Sequence, residues 1–270
     1  MPSFLSPKLI AGSLVALLLP LNMLRAEPVA VRYQEGTIHG YLAIRSEDGK
    51  LLASGDLFQT VHAGRLTARL MYKFKDGSVD EDTAEFTQRG QFRLLSDHHV
   101  QKGPAFKEPL DLKIDVATGQ VTVRYQEKGE EKVATEHMDL PPDLANGLLL
   151  DILKNISPDA PETKLAFVAA TPKPRLVHLS IKADGQETFL SARDSNKAVR
   201  FRVHVDLGGV AGVVAPLVGK EPPDSFVWIS VSKVPAFVRS QVPLYVGGPI
   251  VRTELTSAVW PEEGKGGEAK

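Results

Sequence analysis

The sequence predicts a mainly β protein: a strongly curved antiparallel sheet or half-barrel, with one amphipathic helix and a short apolar helical segment packed on its concave face. Three observations carry this reading. Apolar residues recur at every second position in many short segments, which marks strands with one face buried and one wet, as antiparallel sheets commonly have. Asp-Gly and related turn-forming sequences separate several of them, and glycine there accepts positive φ. The stretch 141–157 switches instead to helical spacing.

Residues 1–26, MPSFLSPKLIAGSLVALLLPLNMLRA, come first. Lys8 precedes the apolar run Leu9–Leu19, Pro20 and Asn22 interrupt it, and Ala26 supplies a small residue at a cut site. This is the layout of a secretory signal peptide, which places the mature chain outside the cytoplasm. The run is shorter than the roughly 20 apolar residues a spanning helix needs; retention of the leader as an anchor is the alternative. Losing Lys8 and Arg25, with no acid, moves the formal charge from −1 to −3. So balanced a charge gives no electrostatic case for nucleic acid or a strongly anionic membrane surface. The chain has no cysteine. That excludes disulfides, lipidation at an N-terminal cysteine, thiolate-bound zinc, iron–sulfur sites and thiol catalysis.

Alternation then dominates. Leu66, Ala68, Leu70, Tyr72 and Phe74 point one way and Arg65, Thr67, Arg69 and Lys73 the other. The pattern returns at Leu110, Leu112, Ile114 and Val116, at Val121, Val123 and Tyr125, at Val177, Leu179 and Ile181, and at Val199, Phe201, Val203 and Val205. Turns are expected at 47–50, 75–78, 118–120 and 184–186. About a dozen strands result, with no internal repeat that would mark a solenoid or propeller. One continuous sheet is expected, in a single domain over 27–260, with the charged, glycine-rich 261–270 disordered.

The spacing predicts a helix over 143–156. Leu144, Leu148, Ile152 and Ile156 fall four apart, Leu149 and Leu153 widen the stripe, and Asp151, Lys154 and Asn155 lie off it. Gly147 weakens the helix by about 1 kcal/mol relative to alanine, so packing must hold it. The second helical segment is 208–218, small and apolar, with Pro216 limiting its regularity.

Motifs for chemistry are few. His98 and His99 are adjacent and on a strand face opposite sides. His178 and His204 sit on polar strand faces and could meet a metal with Asp206, but tight ligand spacing is missing. The run before Lys220 fails as a phosphate loop: Val214 stands where glycine is required and Glu221 where Ser or Thr is. Neither a Gly-x-Ser-x-Gly elbow nor a His-Glu-x-x-His pair occurs. Asp80, Glu81, Asp82, Glu130 and Glu131 read as solvated charges near turns. No catalytic residue, metal or cofactor is assigned. The stretch 219–255 is densest in aromatic and proline residues, and around Trp228 both strand faces are apolar, so that strand should be covered on both sides.

The run 207–255 resembles a set of uncharacterised secreted bacterial proteins. Its GGV-x-G-x-x-AP-L-x-GK-x-PPD block is Gly208–Asp224, followed by Trp228, Pro235–Phe237 and Gly247–Ile250. The resemblance implies a bacterial envelope protein, periplasmic or secreted, and no activity. In architecture, the leader, meander and inserted helix resemble the periplasmic lipoprotein-carrier superfamily, whose half-barrels hold acyl chains under helical lids. The expectation is non-enzymatic binding of an apolar or amphiphilic, lipid-like ligand between sheet and helix, walled by Leu149, Ile152, Val214, Trp228, Phe237 and Tyr245. An envelope hydrolase, or an interaction module using the aromatic C-terminal stretch, are the alternatives.

Overall fold

The computed structural model describes residues 28–191, 194–207 and 222–256. The leader, the 208–218 segment with Val214, and the 261–270 tail lie outside the described residues.

Eight strands form an antiparallel meander: β1 (Ile38–Ser46), β2 (Leu51–His62), β3 (Arg65–Phe74), β4 (Val79–Thr87), β5 (Arg93–Lys102), β6 (Leu110–Asp115), β7 (Gln120–Glu127) and β8 (Glu130–His137). The helix α1 (Leu149–Leu153) follows. Then come β9 (Thr163–Ala169), β10 (Arg175–Ser191), β11 (Asp194–Asp206), β12 (Ser225–Ser230), β13 (Phe237–Pro243) and β14 (Ile250–Leu255). All fourteen strands join one sheet in the order β8-β7-β6-β5-β4-β3-β2-β1-β14-β13-β12-β11-β10-β9. The chain thus winds outward from the middle, crosses over through α1, and returns from the other edge until β14 pairs antiparallel with β1, Leu42 opposite Leu255 and Ile44 opposite Thr253. The sheet is not closed, because β8 and β9 do not pair.

The inward face is the one the alternation predicts. Leu66, Ala68, Tyr72 and Phe74 are buried on β3, Leu112 and Ile114 on β6, Val177, Leu179 and Ile181 on β10, and Val199, Phe201 and Val203 on β11. The larger core group joins side chains of β3–β7 to those of β9–β12 through Leu144, Leu148, Ile152, Leu153 and Ile156. The two wings of the sheet therefore curl around the helical segment. A smaller group gathers Leu42, Ile44, Ala53, Tyr72, Phe74, Phe106, Leu244 and Val251 near β1 and β14.

Two local expectations change. Asp184-Gly185 is not a hairpin turn. It lies inside β10, where the register with β11 shifts between Ala183 and Gln186. Gly185 has φ +103°, and Asp184 holds Arg200 of β11 by its carbonyl at 3.1 Å and its carboxylate at 3.0 Å. A bulge and a hairpin turn share the need for positive φ, so the dipeptide alone does not separate them.

The second change is the helix. It spans five residues rather than fourteen, and it is the one α-helix among the described residues. The four-apart leucines and isoleucines are buried as expected, but Asp151 and Asn155, read as lying off the apolar stripe, are buried too. The reason lies in what residues 143–147 do instead of forming helix.

Candidate functional site

Residues 143–146 cover the open edge of β9. Leu144 bridges Ala166, and Ala145 N–H donates to the Ala166 carbonyl at 2.9 Å. Ala166 N–H donates to Asp143 Oδ2 at 3.1 Å. The Asn146 side chain brackets Val168, accepting from its N–H at 2.8 Å and donating to its carbonyl at 3.1 Å. Two side chains thus stand in for a missing strand and satisfy backbone groups that an edge leaves open. Asp143 is engaged here and does not cap the helix. Gly147 follows with φ +65°, where a Cβ would lie 2.5 Å from the Ala84 Cβ and 2.6 Å from Asp97 Oδ1. Both the conformation and the space demand glycine, so the chain turns before α1 begins.

The N-terminal segment closes over the other end of α1. Val31 N–H donates to the Gly90 carbonyl at 2.9 Å, and Gln88 and Glu35 exchange two hydrogen bonds at 2.7 and 2.9 Å. Asn155 Oδ1 accepts from the N–H groups of Arg32 and Tyr33 at 2.7 and 2.8 Å, and its amide donates back to the Asp151 carbonyl at 2.8 Å. Lys154 Nζ sits between Glu35 at 2.7 Å and Asp151 at 2.8 Å, with all three side chains nearly enclosed. Burial alone would pull the Lys154 pKa down; the two carboxylates outweigh it and hold it above its ordinary value. Burial raises that of Asp151 against the pull of Lys154.

Beside this strap lies a cleft of about 150 Å³. Leu153, Ile156, Val199, Phe201, Ile229, Val231 and Pro235 give it apolar walls, and Arg32, Tyr33, Lys154, Asn155, Ser230 and Ser232 form its polar parts. That volume matches an apolar cavity known to take a benzene-sized molecule.

A second interior feature is polar. Asp80 and Asp82 on β4 and Asp97, His99 and Gln101 on β5 point inward, with Asp82 opposite His99 and Asp80 opposite Gln101. His99 Nε2 lies 2.8 Å from Asp80 Oδ1. The Gln101 amide donates to Asp80 Oδ2 and to the Leu244 carbonyl, both at 3.1 Å. Burial lowers the His99 pKa, and the bond to Asp80 more than restores it, leaving it above the ordinary value. Asp97 is buried, Asp82 is partly buried beside it, and the two are hydrogen-bonded to one another. Burial raises both pKa values, Asp97 well above the ordinary range, with the Asp82 charge adding to it. As two carboxylates, Asp82 Oδ1 and Asp97 Oδ1 meet no N–H or O–H donor. One proton shared between them supplies what both lack. The solvated role read for Asp80 and Asp82 is thus corrected: they stand on the buried face of their strand.

The residues expected to wall a ligand are dispersed. Ile152 is in the larger core group, and Leu149 is half-buried against it. Phe237 touches both groups and stands opposite Ile229. Tyr245 packs with the smaller group, its ring 6.1 Å from Phe106. Trp228 is 3% exposed but on the opposite face from Val227 and Ile229, with the Arg239 guanidinium 4.1 Å above its ring. That strand is covered on both sides, as its composition predicts. None of the five lines the 150 Å³ cleft, whose walls come from strand residues together with Leu153 and Ile156 of the helical stripe.

The histidines behave as their parity dictates. His98 faces outward to Asp111 at 3.0 Å and His99 inward. His178 and His204 lie diagonally across β10 and β11, His178 opposite Asp206 and His204 bonded to Asp224 at 2.8 Å. Among the described residues no group of three or more His, Asp or Glu is placed to hold a metal.

No family model matches the chain, and no curated protein matches it. Among solved structures, it is similar to the crystal structure of a beta-barrel-like protein of domain of unknown function DUF1849 from Brucella abortus. The TM-score is 0.41 at 9% identity, over 88% of this chain and 100% of that one.

Proposed function

We propose that this is a non-enzymatic envelope protein that holds the apolar end of an amphiphilic small molecule in the cleft between α1, the N-terminal strap and β11–β12. The observation that carries the reading is the cleft itself, apolar in its walls and polar around them. Pockets of that make-up suit a ligand with an apolar body and one polar end. Lys154 is already matched by Glu35 and Asp151. Arg32 is exposed and carries no ion pair among the described residues, so it is the cation left to meet an anionic head. A medium-chain fatty acid has that shape: about six carbons fill the cleft, and the carboxylate reaches Arg32. The location rests on the leader, whose pattern directs the chain out of the cytoplasm.

The test is an NMR titration with octanoate, paired with native mass spectrometry of protein taken from its own envelope. Shifts confined to Val199, Ile229 and Val231 are expected. Val231→Trp, at an exposed site on the cleft wall, should abolish them while leaving the fold intact. Absence of octanoate shifts together with absence of any co-purified amphiphile overturns the reading. The hydrolase alternative has less support, since His178 and His204 lie on the outer face next to separate acids.

A further inference from the structure

The exposed apolar side chains are not spread evenly over the sheet. Val61 at the end of β2, Ile38 at the start of β1, Leu255 at the end of β14, Val231 and Val234 in the β12–β13 turn and Leu190 near the tip of β10 are all exposed, Leu190 by 77% and Val234 by 71%. The strand registers bring these positions to one end of the sheet. They follow the strand order β2-β1-β14-β13-β12-β11-β10, so they form one arc of its rim. None belongs to either core group. At the opposite end, Val246 is the exposed large apolar side chain among the described residues. Scattered apolar residues need no explanation, but a contiguous set of them marks an interaction surface.

Charge separates the two ends as well. Arg32 of the N-terminal strap, Arg89 and Arg93 of the β4–β5 turn, Lys197 of β11 and Lys233 of the β12–β13 turn are exposed at the apolar end and carry no ion pair among the described residues. The strap runs from the β4–β5 turn, where Val31 bonds Gly90, to the start of β1, and the Lys197 carbonyl accepts from Val231 N–H at 2.7 Å. These cations therefore stand in the arc and beside it. Of the acids at this end, Glu35 and Glu85 are matched to Lys154 and Arg65, Asp115 and Asp139 belong to the β6–β8 side, and Asp159 follows α1. The opposite end mixes its signs, with Glu47 and Asp48 beside Lys50 and Asp76 beside Lys75. Balance over the whole chain thus hides one basic, apolar end. The chain enters the described fold at this same end, where Ala30 bridges Gln91, soon after the apolar run Leu9–Leu19. A leader held in a bilayer would set this end against it. Protein interfaces deplete lysine at their cores, whereas anionic lipid attracts it.

We infer that this rim docks the protein on an anionic lipid surface, the apolar arc entering the headgroup boundary and the cations around it meeting lipid phosphates. The apolar cleft lies at the same end, with Val231 and Pro235 in its wall, but docking does not depend on its being filled. The test is sedimentation of the whole protein with vesicles of phosphatidylglycerol, and with phosphatidylcholine as the zwitterionic control. Binding to phosphatidylglycerol is expected, weakening with salt. Val234→Asp, at an exposed site, should weaken it about tenfold, as for a valine side chain withdrawn from an apolar contact. Lys197→Gln and Lys233→Gln should each weaken it about fivefold. Val246→Asp, at the opposite end, and Val231→Trp, which fills the apolar cleft, should not weaken it. The octanoate titration reads the cleft and sedimentation reads the rim, so either can fail alone. No sedimentation with phosphatidylglycerol, which would leave the rim to a protein partner, overturns the proposal. Equal binding to phosphatidylcholine, indifference to Val234→Asp, or an equal loss in Val246→Asp does so too.

Discussion

The strand β4 runs through two different interiors. Its C-terminal half places Ala84 and Phe86 inward against the helical segment, among Leu144, Leu148 and Leu153. Its N-terminal half places Asp80 and Asp82 on the same inward face, beside Asp97 and His99. Both halves belong to one strand and turn the same face inward; the side chains on that face differ. The first half is held by packing, the second by a few hydrogen bonds and a shared proton. The two should therefore respond to mutation with opposite signs, since truncation in the first opens a void while neutralisation in the second removes a buried charge.

The largest effect belongs to the apolar half. Leu153 is fully buried where α1 meets both wings of the sheet. Leu153→Ala should lower stability by about 3–4 kcal/mol, the range for truncating a fully buried leucine. A shift in urea midpoint at unchanged slope is the readout. Since Leu153 also walls the small cleft, octanoate shifts should change in the same variant.

A middle effect belongs to the Glu35–Lys154–Asp151 triad, where the N-terminal strap meets α1. Lys154→Met removes the one cation and leaves two nearly enclosed carboxylates facing each other. Breaking a buried pair by removing one partner costs about 3 kcal/mol or more; the slight exposure here brings the expectation to about 2. The loss should fall when Glu35 is also changed to Gln, because the second unmatched charge goes with it. A double-mutant cycle by urea unfolding measures that recovery.

The comparison also explains how far the sequence could be read. Alternation at Leu66–Phe74 and Val199–Val205 points to the buried face directly, because one strand face is apolar throughout. The same parity applied to Asp80, Asp82, Asp97 and His99 places them on the inward face too, but their polarity argues for water, and only the pairing of β4 with β5 shows that they are enclosed. The helix is a similar case. Its leucines fall at helical spacing because they must reach a common core, and turns serve that purpose as well as helix does. What stops the helix is Asp143 and Asn146 bonding β9, a partner 22 or 23 residues away. The small cleft was not legible at all. Its walls, Val199, Phe201 and Ile229, look like any strand core, and the strap at Arg32 and Tyr33 that shapes it carries no pattern.

The smallest effect, and the one with reversed sign, is at Asp97. Unfolded, its carboxyl ionises near the ordinary 3.8; folded, burial and the Asp82 charge keep it protonated well above that. The folded state therefore binds the extra proton. Its contribution is fully present below pH 3.8 and is lost as pH rises through the folded value. Asp97→Asn keeps the size of the side chain and a donor toward Asp82 while removing the group that would ionise. It should raise stability at neutral pH by less than the two changes above, and flatten the fall between pH 4 and 7. Urea midpoints of both proteins across that range give the answer. A variant that is destabilised at every pH would mean that Asp97 is held as a carboxylate, and that the acid half of the interior depends on the charge it was argued to suppress.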